Sequence, residues 1–392
     1  MLVTRHSNLS LQLLISLELT MSQSNSHTAP ATCQPPSLKR RLTTSALLGL
    51  SVLGLSLASS LMPGNQAMAQ TAAPTKIRFV LDWRFEGPSG LFLLPKAKKY
   101  FEAEGLDVTI DSGTGSGAAV TRVASGAYEM GFADISAMIE FLSNNQANPQ
   151  ARMQAVFMLY DYTPAAVMAL KKSGITKPAD LVGKKLGAPV FDAGRRAFPI
   201  FARANGIDVA KVSWTSMDPP LRETMLVRGE VDAITGFTFT SQLNLNARGV
   251  KDEDMVILKY PEHDTKLYGN VVIASQKFIN ENPKAVAGFL RALTKGIRDG
   301  VADPAGSIRY VKERDQLINE ALEIRRMKMC IEDSIATPDF RSNGIGAINK
   351  LRFEDTVAQV VSAFGLKTTP NVDNLFNSSF LPSRSERQVF AK

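Results

Sequence analysis

KIRFVLDWRFEGPSGLFLLPKAKKYFEAEGLDVTID, residues 76–111, is the stretch from which the fold can be read. Lys76–Trp83 is an apolar run of β-formers and reads as a buried strand. Ser89 offers a cap for the apolar Leu91–Glu104 segment, and Gly105 offers its stop, so a helix is expected there. Pro95 lies inside that helix and predicts either a start near it or a kink. Leu106–Asp111 reads as strand again. Strand, helix and strand in quick succession form the unit of a parallel sheet covered by helices.

The alternation continues downstream. Ala118–Ser125 and Ser136–Leu142 read as helices around a strand at Glu129–Ala133, and Met153–Tyr160 and Ala165–Leu170 are strand-like. A second α/β unit opens at Lys184–Pro189, with strands at Val212–Ser216, Val231–Thr235 and Met255–Tyr260. Asp218 before Pro219 and Pro220 marks a helix start, because a cap followed by proline in the first turn is favourable. Leu267–Ser275 is strand-like and suits a return of the chain to the first unit. Pro283–Phe364 is mostly helical, and Lys367–Lys392 reads as loop. The expected division is a leader at 1–69, a first lobe of 70–170 plus 271–392, and a second lobe of 171–270. The two crossings are expected near 165–175 and 265–275.

The leader has three parts. Lys39, Arg40 and Arg41 precede an apolar run from Ala46 to Leu61, and Ala67-Met68-Ala69 supplies a small-x-small cleavage site. That pattern is an export signal, too short and too interrupted for a permanent span. Met21 offers an alternative start. Release of the leader removes four cations against Glu18, so the formal +8 falls to about +5. No basic block interleaved with aromatics follows, which disfavours nucleic acid as a partner. Cys33 lies in the leader, so Cys330 has no partner for an internal disulfide and reads as a core side chain.

Candidate binding residues gather at strand ends, where open α/β sheets bind ligands. Trp83 and Phe85 end the first strand, with Ser89 close behind. An indole there suits stacking on a planar heterocycle, or else a place in the core. Thr114, Gly115, Ser116 and Gly117 precede a helix, where bare amides and hydroxyls suit an anionic or strongly polar group, or simply a tight turn. Asp134 and Ser136 follow the third strand, with Asp134 a possible ligand acceptor or helix cap. Asp192, Arg195 and Arg196 open a helix whose dipole the arginines oppose, and a bound anion would offset that. Tyr162 near the first crossing, Phe237 after the second lobe's strand, and Tyr268 and Asn270 at the second crossing complete the set. Enzyme motifs are thin: His263 is the one histidine beyond the leader, and neither paired metal spacing nor a G-x-S-x-G elbow occurs.

Several segments together resemble a known family. They are Val80-Leu81-Asp82-Trp83, Tyr100 to Val108, the Gly113–Gly117 loop, Gly131-Phe132-Ala133-Asp134, Asp180 to Gly187, and Gly229-Glu230-Val231-Asp232-Ala233. In order and spacing they resemble the periplasmic solute-binding proteins of ABC importers. The branch is the one that binds alkanesulfonates, taurine, nitrate and the thiamine pyrimidine precursor. Leu81-Asp82-Trp83 is most similar to the pyrimidine-precursor members, while Arg84–Pro88 departs from the asparagine- and threonine-rich loop usual there. The resemblance implies an α/β protein of type II-like architecture, with two lobes of mixed sheet flanked by helices and joined by two hinge crossings. It also implies a small-molecule solute in the cleft, a membrane permease as partner, a periplasmic location, a monomer, and neither cofactor nor catalysis. The solute expected is a pyrimidine-like heterocycle, an aromatic acid or a sulfonate. Two rival roles stand beside transport: a pyrimidine-precursor synthase and a ligand-sensing partner of a membrane receptor.

Overall fold

A computed structural model describes residues 73–390. The expected leader lies outside the described residues. Two five-stranded mixed sheets dominate. The first contains β1 (Thr75–Val80), β2 (Leu106–Asp111), β3 (Met130–Asp134), β4 (Met153–Met158) and β10 (Asn270–Ser275), ordered β2-β1-β3-β10-β4. The second contains β5 (Ala165–Leu170), β6 (Lys185–Ala188), β7 (Ser213–Ser216), β8 (Ala233–Phe237) and β9 (Met255–Lys259), ordered β7-β6-β8-β5-β9. In each sheet four strands run in one direction and one, β10 or β5, runs antiparallel between the third strand and the last. Strands buried on both faces, such as β3 and β5, are continuous apolar runs, as helix-covered sheets require.

The chain changes sheet between β4 and β5 and again between β9 and β10, at residues 159–164 and 260–269. Both crossings come a few residues before their expected places. Ala165–Leu170, assigned to the first lobe on sequence, instead pairs with β8 and β9 in the second. The cause is that its apolar run fits either sheet, and only pairing decides between them.

The helix expected at Leu91–Glu104 is two helices, Gly90–Ala97 and Tyr100–Ala103, broken at Lys99, which adopts a left-handed conformation (φ 57°). Pro95 stays inside the first of these, and the long helix Pro283–Ala302 crosses it at Gly296, where a Cβ would lie 2.6 Å from the proline ring. Phe79, Phe92, Phe101 and Phe289 stack in the first lobe's core, with ring centroids 4.9–5.4 Å apart.

The C-terminal region does more than extend the first lobe. Lys350–Phe364 packs against Ile135–Asn144 of the first lobe and Ala193–Ala204 of the second. Glu320–Cys330 packs against Thr238–Asn246 of the second lobe and the Gly87–Ser89 turn of the first. Arg326 on that helix is buried. It donates to Glu323 at 2.9 Å, to the Phe239 and Thr240 carbonyls at 2.8 and 3.0 Å, and to Asn244 at 2.9 Å. It also lies 3.5 Å from Glu86, so one guanidinium serves both lobes. Glu323 in turn accepts from the Gly87 amide at 2.6 Å.

Arg326→Met should therefore lower the unfolding free energy by about 3–5 kcal/mol, because Glu86 and Glu323 would stay buried without their cation. Urea denaturation followed by circular dichroism reads the loss, and a change under about 1 kcal/mol would refute the bridging role.

Candidate functional site: an aromatic cleft between the lobes

The carboxyl ends of β1, β3, β6 and β8 all face the seam between the sheets. A cavity there encloses about 570 Å³ of space, its open mouth included. The first lobe contributes Asp82, Trp83, Glu86, Phe92 and Phe132 to its walls, and the second contributes Asp192, Arg222, Phe237, Phe239 and Thr240. Tyr160, on the first crossing, packs edge-on against Phe132, Phe237 and Phe239 at 5.2–6.3 Å, so the aromatic lining continues from lobe to lobe.

The electrostatics of this seam are acidic. Asp82 follows β1 and accepts 2.7 Å from the Asn270 amide, yet burial raises its pKa to about 7. Burial likewise raises Asp134 to about 6, although the Ser136 and Ala137 amides stabilise its charge. Burial also raises Asp192, and Arg222 offsets part of this through a 2.9 Å ion pair. Arg222 bonds Glu223 at 2.9 Å as well, and its guanidinium lies 5.0 Å from the centre of the Trp83 ring. That cation–π contact spans the cleft, as does the 3.0 Å bond from Thr240 to Glu86.

Of the residues singled out on sequence, Trp83, Ser89, Gly115, Ser116, Asp192 and Phe237 line the cavity. The others lie elsewhere, each for a visible reason. Phe85 packs on the first lobe's core under the Arg314 guanidinium. Thr114 is exposed. Asp134 caps the helix Ile135–Asn144, and Ser136 lies buried in that first turn. Arg195 stacks on Trp214 and donates to the Ala188 carbonyl and Ser216. Arg196 pairs with Glu140 across the lobes at 2.6 Å. Tyr162 and Tyr268 flank Arg352 of the C-terminal region at 4.1 and 4.0 Å, and Arg352 holds Asp161 on the first crossing. Asn270 orients Asp82 from behind.

In the glycine loop the three glycine amides already have partners: Gly113 donates to the Trp83 carbonyl at 2.9 Å, Gly115 to that of Asp82 at 2.7 Å, and Gly117 to that of Phe191 at 3.2 Å. A Cβ on Gly113 would strike the Leu81 carbonyl, and one on Gly115 (φ +138°) the Phe191 carbonyl of the opposite lobe. The glycines allow backbone to meet backbone across the seam, and their own three amides are taken up in that contact.

Asp82, Glu86, Arg222, Phe239 and Thr240 also line the cavity, and sequence reasoning did not single them out. Asp82 stands inside the quoted Leu81-Asp82-Trp83 motif, so a signal existed. Arg222 and Glu86 carried none, since their roles depend on partners 30 and 154 residues away.

Comparison with known proteins agrees with this geometry. A family model described as NMT1/THI5 like matches residues 89–307, more than half of the chain. The chain belongs to that family. Over 370 residues it is 24% identical to riboflavin-binding protein RibY of Chloroflexus aurantiacus, covering 89% of this chain and 99% of that one. It is 26% identical over 272 residues to the Saccharomyces cerevisiae 4-amino-5-hydroxymethyl-2-methylpyrimidine phosphate synthase THI13, covering 65% and 76%. The formylaminopyrimidine-binding protein of Halalkalibacterium halodurans is 25% identical over 244 residues, covering 61% and 70%. Among solved structures, the alkanesulfonate-binding protein SsuA of Xanthomonas axonopodis superposes with a TM-score of 0.59 at 15% identity, covering 76% and 96%. The fold is that of the periplasmic binding proteins.

Two outcomes test this site. Gly115→Ala should destabilise the protein by about 1–3 kcal/mol through strain and collision, and should raise the radius of gyration in small-angle scattering as the lobes part. An unchanged radius would contradict a seam of bare backbone. Asp82 binds its proton more tightly folded than unfolded, so its contribution to stability is complete below about pH 4 and is lost as pH rises through about 7. Asp82→Asn should flatten that part of the stability-against-pH curve, leaving the smaller slope from Asp134.

Proposed function

We propose that this protein is the solute-binding component of an ABC importer, exported to the periplasm by its leader, and that it captures a planar nitrogen heterocycle between its lobes. The observation that carries this is the cavity at the strand ends, where Trp83 and five further aromatic side chains surround the carboxylates of Asp82, Glu86 and Asp192. Aromatic faces select a flat ring, and carboxylates select its N–H edges. The same carboxylates disfavour the sulfonates and aromatic acids that the sequence also allowed, since like charges buried together raise each other's energy. Arg195 and Arg196, which suggested an anion, are held by groups outside the cavity. The riboflavin and formylaminopyrimidine binders among the relatives support a heterocycle as the class.

Binding and closure are linked through contacts that the closed state alone makes. A ring stacked by Trp83 and bonded by Asp82 from the first lobe meets Phe237 and Phe239 from the second. Delivery to a membrane permease then requires no chemistry on the solute. The synthases among the relatives favour a second reading, in which the bound pyrimidine is a product. His263 packs edge-on against Phe201, away from the cavity walls, which supports binding over turnover.

A thermal-shift screen against pyrimidines, flavins, aromatic acids, alkanesulfonates and nitrate tests the proposal. Ligand at 100 times its dissociation constant should stabilise the protein by about 2.7 kcal/mol. A ring-bearing hit recovered chemically unaltered is expected; a sulfonate-only response overturns the heterocycle, and a transformed hit overturns the non-catalytic role. Trp83→Ala should weaken binding at least about tenfold and keep a cooperative melt.

A further inference from the structure

Arg222 occupies an unusual place. It opens the helix Arg222–Arg228, straight after Pro219-Pro220, where a positive charge opposes the helix dipole. It is also fully buried, among the largest side chains to be so. The surroundings are shaped to receive it. Nη1 bonds Asp192 and Nε bonds Glu223, each at 2.9 Å, and its Cζ lies over the Trp83 ring at 5.0 Å. Gly236 clears its path, since a Cβ there would lie 2.9 Å from both Cζ and Nη1. Among the described residues Nη2 makes no hydrogen bond, and it is not one of the sealed, unpartnered polar atoms. Arg222 lines the cavity, and Nη2 is the guanidinium nitrogen left without a protein partner there.

We propose that Arg222 determines which heterocycle the cleft accepts, its Nη2 donating to an acceptor atom on the edge of the ring that Trp83 holds. The inference rests on the heterocycle reading above and narrows it. Asp82 and Glu86 line the cavity from the first lobe, and Arg222 lines it from the second. A ring that satisfies both carries an N–H or amino donor on one edge and a ring nitrogen or carbonyl on the other. A buried donor left without an acceptor loses its hydration with no return, so rings lacking the acceptor are rejected. The fixed guanidinium also weakens the hold that the carboxylates alone would have on a cationic ring. A purely structural Arg222, present only to neutralise Asp192 and Glu223, would impose neither rule.

The test uses three probes of similar size: 4-aminopyrimidine, aniline, which replaces both ring nitrogens with CH, and the cation benzamidine. Isothermal titration of the wild-type protein should give 4-aminopyrimidine at least about tenfold tighter than either of the others. Arg222→Lys keeps the charge beside Asp192 and Glu223 but loses the fork, and should bring the 4-aminopyrimidine and aniline affinities to within about threefold. An undiminished preference in folded Arg222→Lys overturns the role of Arg222 while leaving the heterocycle reading intact. Equal wild-type affinities for 4-aminopyrimidine and aniline do the same without any variant, and serve if Arg222→Lys fails to fold. Tighter binding of benzamidine than of 4-aminopyrimidine also overturns it. No response to any of the three, where a sulfonate does bind, overturns both readings.

Discussion

The seam between the lobes is held by buried charge. Arg222 and Arg326 are almost wholly removed from solvent, and each sits between two carboxylates: Asp192 and Glu223 for one, Glu86 and Glu323 for the other. Bringing such ions out of water costs several kcal/mol apiece, which only close, well-directed partners offset. Some of those partners lie across the seam. Arg326 reaches both lobes from the C-terminal region, and Arg222 reaches Trp83. The position of one lobe on the other is thus fixed by where these cations find their counter-charges and ring faces, and the cavity takes its shape from that position.

Carboxylates already outnumber cations in this network, Asp82 and Asp134 widen the excess, and the excess has a chemical consequence. A protein with no function in its cleft would gain by replacing such acids with apolar groups of the same shape. Asp82 instead sits at the end of β1, held by Asn270 on one oxygen, beside an indole and inside an aromatic wall. A carboxyl whose pKa lies near neutrality can accept from a ring N–H when ionised or donate to a ring nitrogen when protonated. It is well suited to the edge of a nitrogen heterocycle and poorly suited to a sulfonate.

The fold was legible because its signals are local. Cap, apolar face and stop lie within one segment for each helix, and the strand runs between them are continuous, so the order of elements from Lys76 onward follows from adjacent residues. The crossings were less legible, because Ala165–Leu170 is equally apolar whichever sheet receives it. The site was legible only in part, and for the same reason. Trp83, Asp192 and Phe237 stand at strand ends that local reading can find. Arg195 and Arg196 share the end of β6 with Asp192, yet Arg195 turns to Trp214 and Arg196 to Glu140. Arg222 instead reaches the cavity wall from a different segment, after a proline pair that signals only a helix start. Tyr162 and Tyr268 were read as cleft residues because they flank the crossings, but they hold Arg352 of a helix that strand-by-strand reading leaves aside.

The distance between Arg222 and Trp83 also limits how a ligand can sit. A ring sandwiched between two planar groups needs about 7 Å between them, twice the contact distance of stacked carbon atoms. The guanidinium lies 5.0 Å from the indole centre, so that face of Trp83 is already taken. A flat solute must therefore sit at the indole's margin, with its edge rather than its face toward Arg222. The glycine loop enforces this. With Gly115 and Gly117 against Phe191, the lobes approach to the limit set by bare backbone, and no side chain holds them at the wider spacing a sandwich would need. Closure is therefore gauged by protein–protein contact, while the solute is read at the indole's margin, beside Arg222.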